Sequence, residues 1–203
     1  MSGVTVKICG VKDEGTAAVA VRAGADFVGV VFVPSSPRFV APAAARLLAV
    51  TIADAGAMPV AVVRLPLEPD ARRALEAFPI VQFHGDETPA DLHAYKSFEC
   101  WKGLRFSPAS VGDWLAGGPA TRLVVDGPEA GSGERWDLGE FAALDDATRA
   151  RCLLAGGLDP SNVVAAVRAA KPWGVDVSSG VESARGVKDH ARIAAFIAAA
   201  KSA

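Results

Sequence analysis

The feature that most constrains this chain is a rhythm. Short runs rich in Val, Ile and Phe alternate with Ala-rich runs of helical period from end to end, and Gly, Pro, Ser and Asp occupy the joints. That alternation is the signature of repeated βα units. It predicts strands near Thr5–Cys9, Phe27–Phe32, Pro59–Arg64, Ile80–Phe83, Cys100–Leu104, Arg122–Asp126, Cys152–Ala155 and Gly174–Val177. Helices are expected to begin near Lys12, Ala43, Glu68, Pro89, Ser107, Asp137 and Ser161, with a last one from about Asp189 to Ala200. About eight such units is the number at which a parallel sheet closes on itself, whereas open doubly wound sheets commonly have five or six strands. The expectation is therefore an α/β fold, a TIM barrel of the (β/α)8 type, built as a single domain from residues 1–203; two domains would be cramped in 203 residues.

Composition then removes whole classes of function. The chain is 51% hydrophobic and 22% charged, with its apolar residues in short runs, so no membrane segment is read. Formal net charge is −2 and the basic residues are dispersed, which leaves no continuous positive field for nucleic acid or an anionic membrane. A small anion held locally stays open. The start, Met-Ser-Gly-Val-Thr-Val-Lys, runs straight into strand-like sequence without the apolar core of a signal peptide, so a cytoplasmic protein is expected. Cys9, Cys100 and Cys152 are odd in number and far apart, which suits reduced thiols better than disulfides or a zinc site.

A closed barrel presents its chemistry at the carboxyl ends of its strands. The first strand ends in Cys9, on the same face as Lys7. A thiol acts as base or nucleophile only when ionised, which a nearby cation favours; the alternative is that Cys9 is a small buried apolar residue, the reading kept for Cys100 and Cys152. The sixth strand delivers Asp126 to the same mouth. One group giving a proton while another removes one is what an isomerisation needs, although Asp126 before Gly127-Pro128 also reads as a turn residue. Arg38, after the second strand, either clamps a carboxylate through paired hydrogen bonds or is a solvated surface cation. His84, after the fourth, either shapes a substrate pocket or serves as a structural donor, while His93 and His190 read as surface residues. Lys102, inside the fifth strand, has nothing beside it in sequence to activate a Schiff base. Finally, Gly156-Gly157 follows the seventh strand and Ser179-Gly180 the eighth. Turns there let backbone N–H groups approach an anion, and this is where barrels of this kind hold phosphate.

These segments together resemble the phosphoribosylanthranilate isomerase family over nearly the whole chain. The resemblance rests on Val6-Lys7-Ile8-Cys9-Gly10, on residues 24–32 leading to Ser36-Pro37-Arg38, on Val81-Gln82-Phe83-His84-Gly85, on residues 131–137, on Leu154-Ala155-Gly156-Gly157-Leu158 and on residues 174–182. Each is weak alone; their order and spacing are specific. The resemblance implies an Amadori rearrangement of a phosphorylated aminosugar without metal or organic cofactor. Asp126 would protonate the ring oxygen, and Cys9 would remove the C2 proton. It further implies that Arg38 holds the anthranilate carboxylate, that Gly156, Gly157, Ser179 and Gly180 hold phosphate, that Asp176 shares the mouth, and that Gly131-Ser132-Gly133 closes over substrate. A monomer or a homodimer is compatible with it. The chain departs from the family pattern at Arg64, Ala130, Ser132, Trp136 and Leu138, which bears on loop behaviour and substrate breadth more than on reaction type.

Three rivals belong beside this reading. A related histidine-pathway isomerase is expected to use two aspartates and to show two similar halves, and neither is seen. A thiamine-phosphate synthase-like barrel needs a metal-diphosphate site, for which the sequence offers no convincing acidic cluster. A barrel that binds phosphate ligands without catalysis would have no use for both Cys9 and Asp126.

Overall fold

The computed structural model describes residues 3–127 and 138–203. Its strands are β1 (Thr5–Cys9), β2 (Phe27–Val31), β3 (Met58–Val63), β4 (Ile80–Phe83), β5 (Glu99–Arg105), β6 (Ala120–Asp126), β7 (Cys152–Ala155) and β8 (Gly174–Val177). They pair in sequence order, each parallel to the next, and β8 returns to β1 to close the barrel. The long helices are α1 (Glu14–Ala23), α2 (Pro42–Ala55), α5 (Pro108–Gly117), α8 (Val163–Ala170) and α9 (His190–Lys201). Between them lie the shorter α3 (Pro69–Ala74), α4 (Pro89–Leu92), α6 (Leu138–Ala142) and α7 (Asp146–Arg149). A small antiparallel hairpin, β9 (Glu182–Ala184) and β10 (Val187–Lys188), follows the eighth strand.

Local chemistry explains where the elements begin. Asp13 caps α1 by accepting from the N–H of Thr16 at 2.8 Å, and Asp189 caps α9 by accepting from Arg192 at 3.0 Å. Pro42, Pro69, Pro89 and Pro108 each stand in the first turn of a helix, where a missing N–H costs nothing. Every expected strand is found to within two residues. The helix expected from Pro89 is a single α-turn that tightens into a 3₁₀ turn at His93–Tyr95, and neither α7 nor the hairpin was anticipated. The expected helix start at Asp137 and the glycine-rich segment Gly131-Ser132-Gly133 lie outside the described residues.

Strand alternation separates two cores. Outward residues such as Ile8, Val30, Val63, Phe83, Val125 and Leu154 pack under the helices. Inward ones fill the barrel, where Val60, Ile80, Trp101, Val124, Leu153 and Ala155 cluster with Phe27 and Trp173. Cys9, Val31 and Val62 form a further inward cluster.

Candidate active site

At the carboxyl ends of the strands opens a cavity of about 1260 Å³ whose walls include Asp126, His84, Gly156, Gly157 and Ser179. Asp126 ends β6 in the inward register of Val124. Its Oδ2 lies 3.6 Å from Nε2 of His84, and both side chains are 37% exposed. That distance is too long for a hydrogen bond. Burial, reinforced by the negative charge of Asp176, pushes the Asp126 carboxyl up to about 7, so near neutrality much of it carries a proton. Burial holds the His84 imidazole below its ordinary value despite the pull of Asp176. Near neutrality the pair is therefore a partly protonated carboxyl beside a ring shifted toward its neutral form.

Cys9 sits deeper. It is 8% exposed, lies among Val31 and Val62, and does not itself line the cavity. Burial pushes its thiol up, and the ammonium groups of Lys7 and Lys188 oppose that. Asp176 joins the two sides: its carboxylate acts on Cys9, His84 and Asp126 alike. The β1–β8 register sets it opposite Lys7, and Lys7 Nζ donates to it at 2.9 Å.

Arg38 is already anchored. Its Nε and Nη2 donate to the two carboxylate oxygens of Glu182 at 2.7 and 2.8 Å, which leaves the edge bearing Nη1 outside the pair. Glu182 also accepts from Lys188 Nζ at 3.0 Å and from the N–H of Gly186 at 3.0 Å. Burial alone would raise the Glu182 carboxyl, but these donors bring it down to about 2. Arg38 does not line the cavity, so its guanidinium is a preset group on the β1–β2 side.

The opposite rim is made of backbone. Gly156 and Gly157 have φ of 82° and 71°, in the left-handed region that favours glycine. A Cβ on Gly180 would lie 1.8 Å from the carbonyl oxygen of Leu158, so the turns after β7 and β8 touch each other. Among the described residues, no backbone carbonyl accepts from the N–H of Gly156, Gly157, Ser179 or Gly180. Gly156, Gly157 and Ser179 are exposed, and Gly180 partly so.

Several contacts around the site go beyond what the sequence indicated for these residues. Arg64 lines the cavity and donates Nε to the carbonyl of His84 at 2.9 Å. Lys102 points away from the barrel axis. It donates to Glu87 at 2.7 Å and to the Gly85 carbonyl at 2.5 Å, and lies over the Trp114 ring. Glu87 in turn accepts from the N–H groups of Leu65 and Gly85. This buried pair ties β5 to the β3 and β4 loops, and that contact is a structural use for Lys102. Cys100 and Cys152 are buried, donate to backbone carbonyls and are pushed up to about 11 and about 12 by burial. His93 and His190 are exposed. A signal for Glu182 did exist in sequence, since it follows Gly180 by two residues in the quoted eighth-strand segment. Of its partners only Arg38 stood out in sequence, as a possible carboxylate clamp; nothing marked Lys188 or Gly186.

A carboxyl able to hold a proton near neutrality, facing a cavity whose far rim offers backbone N–H groups, suits proton transfer on a small anionic molecule, as in a (β/α)8-barrel isomerase. The comparisons narrow that class. Residues 6–199 match the family model described as N-(5'phosphoribosyl)anthranilate (PRA) isomerase. The N-(5'-phosphoribosyl)anthranilate isomerase of Roseiflexus sp. (strain RS-1) is 42% identical, over 98% of this chain and 99% of that one. Among solved structures, the phosphoribosyl anthranilate isomerase of Thermotoga maritima superposes with a TM-score of 0.84 at 30% identity, covering 98% of this chain and all of that one. A phosphoribosyl anthranilate isomerase in complex with reduced 1-(o-carboxyphenylamino)-1-deoxyribulose 5-phosphate gives 0.81 at 29% identity, with 98% of this chain and 100% of that one covered. The chain belongs to the phosphoribosylanthranilate isomerase family. A thiamine phosphate pyrophosphorylase from Pyrococcus furiosus, at 11% identity and a TM-score of 0.73 over 99% of this chain and 97% of its own, shares the fold alone.

Proposed function

We propose that the chain converts N-(5-phosphoribosyl)anthranilate to 1-(2-carboxyphenylamino)-1-deoxyribulose 5-phosphate in tryptophan biosynthesis, with Asp126 as general acid and Cys9 as general base. The observation that carries this reading is the Asp126 carboxyl, raised to about 7 and exposed to the cavity. Asp126 gives its proton to the ring oxygen, the C1–O bond breaks, and a protonated Schiff base forms. The Cys9 thiolate then takes the C2 proton, leaving an enolamine. Return of a proton to C1 and loss of the O2 proton yield the ketone and restore both groups to their starting states.

The four N–H groups of Gly156, Gly157, Ser179 and Gly180 take the phosphate. Arg38 offers its free edge to the anthranilate carboxylate, His84 packs beside the reacting sugar as a neutral ring, and Asp176 orients Lys7 below it. Residues 1–203 act as one catalytic domain, in the cytoplasm, as a monomer or homodimer that binds a phosphorylated aminosugar and neither nucleic acid nor membrane. Among the described residues, no helix is long and apolar enough to cross a membrane.

The test follows the loss of phosphoribosylanthranilate fluorescence with wild type, Cys9→Ser and Asp126→Asn. Each variant should stay folded and lose about 10²- to 10⁴-fold in turnover. Turnover at the wild-type rate in either one removes that residue from its role.

A further inference from the structure

Lys7 is fully buried at the centre of the barrel. An ammonium there is tolerated only with compensation, and Asp176 at 2.9 Å supplies part of it. The group has further protons to place. What lies on its other side is sulfur. Lys7 and Cys9 share the inward face of β1, and Gly29 of β2 is the register partner of Cys9. A Cβ built on Gly29 would lie 3.0 Å from Cys9 Sγ and 3.2 Å from Lys7 Nζ. The two atoms thus converge on one notch that a missing side chain leaves open, within roughly 6 Å of each other, where an opposite charge favours ionisation.

Cations outnumber carboxylates among the groups held around this notch. Lys7 comes from its own strand, Lys188 from β10 and Arg38 from the loop after β2; against these three cations stand the carboxylates of Asp176 on β8 and Glu182 on β9. The β2 and β3 neighbours of the sulfur are Gly29, Val31 and Val62, which carry no charge. His84, just after β4, and Asp126, at the end of β6, feel the charges of Asp176 and Lys7, and burial shifts both toward their neutral forms.

We propose that Lys7 is the positioning residue that makes Cys9 usable as a base: held by Asp176 and admitted by Gly29, its ammonium is the counter-ion of the thiolate. The inference rests on Cys9 being the base, and it gives a use to a lysine that is fully buried inside the barrel. Burial drives the thiol up, and Lys7 is the largest influence against it. In the same way Asp176 and Cys9 keep Lys7 above its ordinary value in spite of burial.

The experiment measures the rate of Cys9 alkylation by iodoacetamide against pH, by mass spectrometry of the intact protein. It compares wild type, Lys7→Met, Lys7→Arg, Gly29→Ala and Lys7→Met/Asp176→Asn, and kcat/KM is followed over the same pH range. Folding is checked by circular dichroism. The double variant removes the carboxylate that the single one would strand, and Gly29→Ala parts the two groups while leaving both in place. Lys7→Met should move the alkylation midpoint up by at least one pH unit and lower kcat/KM near neutrality by about tenfold or more. Gly29→Ala should shift the midpoint the same way, and Lys7→Arg should recover part of it. An unshifted midpoint in the folded single or double Lys7 variant overturns the proposal. Wild-type turnover in Cys9→Ser would overturn the role of Cys9 as base instead, and the alkylation curves would still report whether Lys7 governs the thiol.

Discussion

Asp126 is a carboxyl that the fold would be more stable without. Its ordinary value is 3.8 and its folded value about 7. Between those two points the folded chain keeps a proton that the unfolded chain has released, so stability declines as pH rises through that window and the whole penalty is present above it. Asp126→Asn removes the penalty. Allowing for solvent reaching a side chain 37% exposed, the gain at pH 8 should be about 1 to 2 kcal/mol, or a few degrees in Tm, and it should vanish near pH 4. Differential scanning calorimetry at the two pH values checks it, and an equal gain at both would mean that the carboxyl is not strained by burial.

The same carboxyl shapes the rate. The active form needs Asp126 protonated and Cys9 ionised, yet the thiol sits above its ordinary value while the acid sits near 7. The active form is then a minor species at every pH. Below about 7, log kcat/KM should rise with unit slope as thiolate accumulates; above it the gain is offset by loss of the acid, giving a plateau until the thiol itself has titrated. The acid-side bend therefore belongs to Asp126. A profile that instead falls away directly above pH 7, with no plateau, would show the thiol to be the more acidic of the two.

At the scale of elements, the hairpin β9–β10 anchors the site. Glu182 holds Arg38, Lys188 and the Gly186 N–H together, and its carboxyl is brought down to about 2 from 4.5. A depressed carboxyl contributes stability that is full above its unfolded value and is lost as pH falls toward the folded one. Glu182→Gln should cost about 3 kcal/mol at neutral pH by removing the counter-charge of the buried Lys188 ammonium and the half-buried Arg38 guanidinium. It should also flatten the acid side of the stability curve between pH 4.5 and 2, and raise KM as Arg38 loses its anchor. Urea denaturation over that range, with KM measured alongside, decides the matter; unchanged KM would separate Arg38 from substrate.

This hairpin also marks where sequence stops being legible. The eight strands could be read because each is a compact apolar run between turn residues, and the placement of Asp126 and Gly156 on one cavity because strand ends in a barrel converge, whereas Cys9 lies below that cavity. Glu182 and Arg38 are distant in sequence, and only closure of β8 onto β1 brings their loops together. The Lys102–Glu87 pair has the same character: each looks like an ordinary surface charge until the fold buries both. Lys7 was placed correctly beside Cys9 by strand alternation, but its partner on β8 depends on register, which no local pattern encodes.

On the scale of the whole molecule, the barrel separates what holds it together from what it does. The interior core gathers Trp101 with Phe27 and Trp173, at ring separations of 4.9 and 6.1 Å, and the Arg122 guanidinium lies 4.2 Å from the centre of the Trp173 ring. None of these four residues lines the cavity. Trp101 is completely buried, and its indole N–H is satisfied by Glu99 at 2.9 Å, so truncating it leaves a void in the barrel interior. Trp101→Ala should therefore cost about 3 to 5 kcal/mol. Because a close-packed interior transmits strain over short range and the reacting groups sit at the carboxyl ends of the strands, KM and the acid-side bend near pH 7 should both be preserved in the fraction that stays folded at low temperature. Thermal denaturation and a pH profile taken well below the variant's Tm test the two halves together. A shifted bend would mean that the aromatic cluster sets the electrostatics of the mouth as well as the stability of the barrel.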